Sequence, residues 1–162
     1  MNKKNIIIIL ILILISHNFA FSKDFDFSKT FDISLKMPKK EIFKLFDKNK
    51  LKYKKGETKY KQEYYSLLEK TNIYNAKIDQ LEVGFKSDSV DFISFDIADT
   101  DINNFASAIR ESANCYEDIR DVGFRLTIFY FDNCALSLVY FLDVGKTSFG
   151  FIDNNIKICE KK

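Results

Sequence analysis

Phe124-Arg-Leu-Thr-Ile-Phe-Tyr-Phe131, a turn at Asp132-Asn133, Ala135-Leu-Ser-Leu-Val-Tyr-Phe-Leu142, a turn at Asp143-Val-Gly145, and Thr147-Ser-Phe-Gly-Phe-Ile152 together decide the fold. Three β-rich runs divided by short polar turns read as an antiparallel meander. Phe124, Leu126, Ile128 and Tyr130 share one side of the first run, and Leu136, Leu138, Tyr140 and Leu142 repeat that period of two on the second. These two sets are expected to form one core face. The alternate positions Arg125, Thr127, Phe129 and Phe131, with Ala135, Ser137, Val139 and Phe141, are mixed, so part of the other face is expected to be covered as well.

Working outward, Leu81, Val83 and Phe85, a turn at Ser87-Asp88-Ser89, and Ile93, Phe95 and Ile97 predict a second hairpin. Between the hairpin and the meander, Asp99-Thr100-Asp101 offers N-cap chemistry to a helix whose Ile102, Phe105, Ala106, Ile109 and Ala113 fall on one face. Earlier, Pro38 suits a first helical turn, where a missing amide hydrogen costs nothing, and Ile42, Leu45 and Phe46 supply the apolar stripe. Leu51 to Tyr53 predicts a short strand closed by Gly56. The stretch from Tyr60 to Lys70 fits a helix by spacing and a strand by its tyrosines; continuity with the following hairpin favours the strand. Lys23 to Lys36 alternates as an edge strand or a packed arm.

The fold class expected from these elements is α+β, a single antiparallel sheet of about six strands with two helices packed on one face. The order helix-then-strands occurs twice, which raises internal duplication as a hypothesis. Helices on opposite faces of the sheet would remove it.

Met37-Pro-Lys-Lys-Glu-Ile-Phe-Lys-Leu45 resembles the Met-Thr-Lys-x-x-Val-x-x-Leu helix start of small exported SmpA/OmlA and β-lactamase-inhibitor-like domains, over about fifteen residues. The resemblance implies helices packed on an antiparallel sheet and action by binding other proteins.

At the N-terminus, Lys3 and Lys4 precede ten unbroken Ile and Leu residues, Ile6 to Ile15, and a small-x-small pattern follows at Ala20-Phe21-Ser22. This is the pattern of a secretory signal peptide over residues 1–22, leaving 23–162 as one exported domain, periplasmic or secreted, with no transmembrane segment in the mature chain. Lys3, Lys4 and the only histidine, His17, fall in the leader, so 23 basic and 23 acidic residues remain and the mature net charge is zero. A nucleic-acid binder needs a phosphate-neutralising excess and is disfavoured.

Without histidine the mature chain lacks Ser-His-Asp and Cys-His nucleophile systems and imidazole metal ligands. The five glycines stand singly, so no phosphate-binding loop is present and no cofactor is implied. Asp96, Asp99 and Asp101 cluster at a strand-to-helix junction; helix capping explains them more simply than cation binding. Asp24 and Asp26 read as solvated charge rather than a glycosidase pair.

Three cysteines in an oxidising compartment leave one pair and one single thiol. A helix ending near Cys115 and antiparallel to the Phe124 strand would put Cys134 a full strand away, which favours Cys115 with Cys159. A reactive thiol has no histidine to lower its pKa.

Charge is segregated along the chain. Lys48 to Lys61 holds seven lysines and one acid, whereas Asp79 to Asp101 holds seven acids and one lysine. Lys52, Tyr53, Lys54, Lys55, Lys59, Tyr60, Lys61 and Tyr64 are therefore the candidate binding residues for an anionic partner such as lipid headgroups, cell-wall acids or an acidic protein patch. The plainer reading is a solvated edge strand, whose lysines discourage edge pairing. The function these features favour is a non-enzymatic module that binds a macromolecule of the envelope or extracellular space, with possible peripheral membrane contact. The alternatives are a carboxylate-based hydrolase and a carrier of a small apolar ligand. Two converging carboxylates would mark the hydrolase, an enclosed Phe-lined cavity the carrier, and an exposed apolar or Tyr-rich patch the binder.

Overall fold

The computed structural model describes residues 24–74, 76–98, 101–142 and 148–154. The expected signal peptide, Asp99, Thr100, the expected turn at Asp143-Val-Gly145 and Cys159 lie outside the described residues.

The expectation of about six strands is overturned: the protein is mainly β, and the described residues form nine strands in one antiparallel sheet and two α-helices. Helix α1 is Lys39–Lys48, followed by β1 (Tyr53–Glu57), β2 (Glu63–Leu67), β3 (Thr71–Ile73), β4 (Ala76–Lys86) and β5 (Ser89–Ile97). Helix α2 is Ile102–Ser112, followed by β6 (Cys115–Asp121), β7 (Phe124–Tyr130), β8 (Ala135–Phe141) and β9 (Ser148–Asp153). The sheet order is β1-β2-β4-β5-β9-β8-β7-β6, with the short β3 added to β4.

Two strands account for most of the miscount. β3 has three residues, and β6, Cys-Tyr-Glu-Asp-Ile-Arg-Asp, is an exposed edge strand whose charges mask any alternation. It closes on β7 through Val122 and Gly123, and Gly123 takes a φ of 89°, open to glycine without steric cost. Within the expected Lys23 to Lys36 stretch, residues 24–36 form the packed arm rather than the edge strand: a 3-10 turn at Phe27–Thr30 interrupts them, and Phe25 and Ile33 are buried. Asp101 stands at the N-cap of α2 without a side-chain cap bond; its carboxylate accepts from the Lys77 amide, which ties the helix start to β4.

The two halves repeat one plan. Each is a helix followed by a meander, and the meanders meet through their last strands, β5 against β9, with Phe95 opposite Gly150. Both helices pack on the same face, so the duplication hypothesis passes its test. Phe43 and Phe46 of α1 meet Tyr53 and Tyr65, and Phe105 of α2 meets Phe95 edge-on at 5.8 Å. Residues directly opposite across antiparallel strands share a face. On that rule Tyr65, Val83, Ile93, Ile152, Leu136 and Phe129 form one buried row beneath the helices. Gly150 has no side chain because the Phe95 ring occupies its place; an added Cβ would lie 2.3 Å from that ring.

Register corrects the expected core of the meander. Phe129 pairs with Leu136 and Thr127 with Leu138, so the helix side of β7 is Phe129 and the buried Thr127. Phe124, Leu126 and Ile128 face the other way. The turn decides this: Phe131 donates to the Cys134 carbonyl at 2.9 Å and sets Tyr130 opposite Ala135. A slip of one residue exchanges the faces of a whole strand.

Candidate functional site

The sheet face opposite the helices is the distinctive surface. Following the register outward from β4, one row runs Gln80, Asp96, Phe149, Val139, Leu126, Ile119, and the next runs Glu82, Ser94, Phe151, Ser137, Ile128, Glu117. Phe141, Phe124 and Asp121 extend the patch along the strands, and Phe92 stacks on Phe151 at 5.1 Å. Phe149 and Phe141 also touch, with ring centroids 6.0 Å apart. These side chains are half-buried, and Ile119 at the rim is 48 % exposed. The β7 to β9 part of the face is therefore apolar, and no described helix covers it.

The same face over β2 and β4 is polar. The Glu82 carboxylate accepts from Ser66 Oγ and Gln80 Nε2, each at 2.8 Å, and from Ser94 Oγ at 3.3 Å. Burial, and then the charges of Glu82 and Asp79, push the Asp96 carboxyl above its ordinary range. On β5, β9, β8, β7 and β6 the open-face positions carry Asp96, Asp153, Glu117 and Asp121, and among the described residues no Lys or Arg.

The lysine-rich candidate residues are divided rather than gathered. Lys54 and Tyr64 lie on the open face, with the Tyr64 ring over Gly56, where an added Cβ would meet it at 2.3 Å. Tyr53 and Lys55 point to the helix side: the Tyr53 ring packs on Phe46 at 5.0 Å, and Lys55 pairs with Glu63 at 2.5 Å. Lys59, Tyr60 and Lys61 occupy the β1–β2 hairpin tip, where Tyr60 is 80 % exposed and Lys59 Nζ lies 4.9 Å from its ring centre. The exposed Lys52 precedes the edge strand β1. Glu63 is held by Lys39 and Lys55 together, and these hydrogen bonds bring its carboxyl down to about 2.

Two open concavities flank this edge. One, of about 490 Å³, lies between Tyr60, Lys61 and Glu63 on one side and Phe85, Lys86 and Asp91 on the other. The second, of about 430 Å³, runs over Lys54, Tyr64, Ser66, Leu68, Gln80 and Glu82. Both mix cations with anions. Between helices and sheet the space is filled by Phe46, Phe95, Phe105 and Phe129.

Asp26 accepts from the Ser28 amide and caps the 3-10 turn. Among the described residues no group of three or more His, Cys, Asp or Glu side chains could hold a metal ion, and no helix is long and apolar enough to cross a membrane. Cys134 is a free, buried thiol pushed up to about 12 by burial, with Asp153 and Asp24 adding to the shift. The premise that Cys134 lies a strand length from Cys115 is overturned. Cys115 opens β6 opposite Tyr130, which pairs with Ala135, so the two cysteines are about two strand spacings, roughly 10 Å, apart. That is still beyond disulfide reach.

The open-face residues Phe92, Phe149, Phe151, Leu126, Val139 and Ile119 escaped the sequence reading as a site. A usable signal existed: strands apolar on both sides, with too few helices to cover both. A cluster under the end of α2 also escaped it. Asp118 accepts from Thr127 Oγ1 at 2.6 Å and pairs with Arg125 at 2.5 Å, while Arg110 stacks on Tyr116 at 4.5 Å. No protein-family model, curated protein or solved structure matches the chain.

Proposed function

We propose that this chain is an exported binding module that docks another protein of the envelope or extracellular space on the open face of its sheet. One observation carries the reading: Phe124, Leu126, Val139, Phe141, Phe149 and Phe151 form a continuous apolar patch without a covering helix among the described residues. Patches of that kind mark interaction surfaces. The leader-like N-terminus supports export, and the resemblance of Met37 to Leu45 to exported domains that act by binding proteins points the same way. Export would also oxidise the cysteines. With Cys134 a buried free thiol, Cys115 with Cys159 is the pairing to seek by non-reducing peptide mapping.

A photo-crosslinking residue at Val139, compared with one at the exposed Lys44 of α1, tests the reading in the native envelope fraction. A discrete adduct of fixed mass at 139 and none at 44 is expected. No adduct at 139, or the same adducts at both positions, overturns it.

A second reading places an anionic partner on the lysine hairpin. The exposed Tyr60 between Lys59 and Lys61 favours it, and it requires salt-sensitive binding that is independent of Val139.

A further inference from the structure

Resting on the open-face reading, we infer that the occupant of this face is an amphipathic helix of a partner protein, apolar on its docking side and flanked by lysines or arginines. The apolar strip is bounded on both sides by acids: Asp96 and Glu82 on β5 and β4, and on β6 Asp121 together with Glu117, whose carboxylate accepts from Tyr130 Oη at 3.1 Å. No described cation shares the face on β5, β9, β8, β7 or β6. The nearest arginines, Arg120 and Arg125, alternate to the helix side, and Arg125 is engaged there by Asp118. An anionic surface would meet carboxylates on either side of the strip, a like-charge contact that disfavours it.

The dimensions fit one helix. From β5 to β6 is four strand spacings, roughly 19 Å. A helix with its side chains is about 10–12 Å across, and lysine or arginine stems reaching outward on both flanks bring their charges over the two acidic borders. A third helix on this face would complete the layering that α1 and α2 begin on the other, since an apolar sheet face is stabilised by a helix laid on it. The acids would steer encounter and set orientation while the Phe, Val and Leu side chains supply affinity. Asp96, raised by burial and by its acidic neighbours, would relax toward the ordinary carboxylate range beside a cation.

The chain has no tryptophan, so a single Trp in a probe peptide reports contact without background. The probes are an 18-residue Leu/Lys amphipathic helix carrying one Trp and its Leu/Glu counterpart, titrated against the mature protein at low salt. A blue shift with the Leu/Lys peptide is expected, at least tenfold tighter than with the Leu/Glu peptide. The double variant Leu126→Thr, Val139→Thr keeps β-formers at both positions and should abolish the shift; a far-UV spectrum and a melt establish that it folds. The triple variant Asp96→Asn, Glu117→Gln, Asp121→Asn should retain binding and lose the tenfold preference.

If both peptides bind equally and the Thr variant loses both, the cationic helix is overturned and the docking face stands. The cationic helix is likewise overturned, and the face retained, if neither peptide binds while the Val139 crosslink still forms. Loss of probe binding and of the crosslink together overturns both readings. Leu/Lys binding that survives the Thr variant places the contact elsewhere and sinks the inference. So does self-association on sedimentation that Lys59→Glu with Lys61→Glu removes, because the occupant is then a second copy.

Discussion

The two halves of the sheet share a plan and differ most on one face. Beneath the helices both present buried aliphatic and aromatic rows, Leu67, Leu81 and Phe95 in the first half and Leu136, Leu138 and Phe129 in the second. On the open face the first half carries Ser66, Glu82, Ser94 and Gln80 beside Tyr64 and Phe92, whereas the second carries Phe149, Phe151, Val139 and Leu126 beside Ser137 and Glu117. The helix side answers to folding, because the chain itself must fill it. On the open side that demand is met only in part: Tyr130 and Ala135 are buried, whereas Leu126, Val139, Phe149 and Phe151 keep partial exposure. The polar half reads as solvated surface and the apolar half as a surface awaiting cover.

The sharpest test compares the two sides of the central seam. Phe95 lies on the helix side of β5, 1 % exposed, with its ring over Gly150 and against Phe105. Phe95→Ala should cost about 3–5 kcal/mol in urea unfolding, the usual range for a buried phenylalanine. Phe149→Thr, on the open side of β9, should cost about 1–2 kcal/mol, since the side chain is only partly buried and Thr suits a strand. Equal costs would mean that the open face is core, and the distinction between the two faces would fail.

A smaller effect comes from the first half alone. Glu63 joins Lys39 of α1 to Lys55 of β1, and its carboxyl is held at about 2 against an ordinary 4.5. A depressed carboxyl contributes stability that is complete above the ordinary value and is lost as pH falls toward the depressed one. Glu63→Gln should therefore lower stability by about 1–3 kcal/mol at pH 7, with the two proteins converging as pH approaches 2 in a urea series. The second half has its own ion pair, Asp118 with Arg125, at a different place on the helix side, so this dependence should not transfer.

Asp96 carries the opposite sign. Its carboxyl is raised by burial and by Glu82 and Asp79, so the charged form opposes folding at neutral pH. Asp96→Asn should raise the melting temperature at pH 7, and the gain should vanish as pH falls below the ordinary aspartate range, where both states hold the proton. A loss of stability on that substitution would show that Asp96 has a stabilising partner, and that the polar half is organised around it.

Much of the helix side was legible in the sequence. The i, i+3, i+4 spacing of Ile102, Phe105, Ala106 and Ile109 identified α2, and the alternation of Leu81, Val83, Phe85 and of Ile93, Phe95, Ile97 identified β4 and β5, because each segment has a single apolar side. Where both sides are apolar, alternation loses its meaning. In β7, Phe124, Leu126 and Ile128 compete with Phe129, and only the turn at Phe131–Cys134 settles which set turns inward. That ambiguity concealed the apolar open face, since a residue expected beneath the helices is not sought on the other side. Edge strand β6 was hidden for the converse reason: with both sides solvated in part, its sequence shows no period. The lysine cluster was visible as composition, but strand alternation sends Lys54 and Lys55 to opposite faces, and no linear count contains that.

The smallest expected effect on stability therefore belongs to the lysines. Lys52, Lys54, Lys59 and Lys61 are exposed, and no ion pair is described for them; Lys55 is set aside because it serves Glu63. The quadruple change of those four to Glu should leave the urea midpoint within about 0.5 kcal/mol of the parent, as exposed substitutions usually do. Its effect should appear instead in association. If the hairpin holds an anionic partner, the variant loses salt-sensitive binding to anionic envelope extracts while the Val139 crosslink is unchanged, and the two halves are then two sites of opposite charge. If extract binding is unchanged as well, the lysines serve only to keep strand β1 from pairing with other edges, and the apolar half alone carries the binding reading.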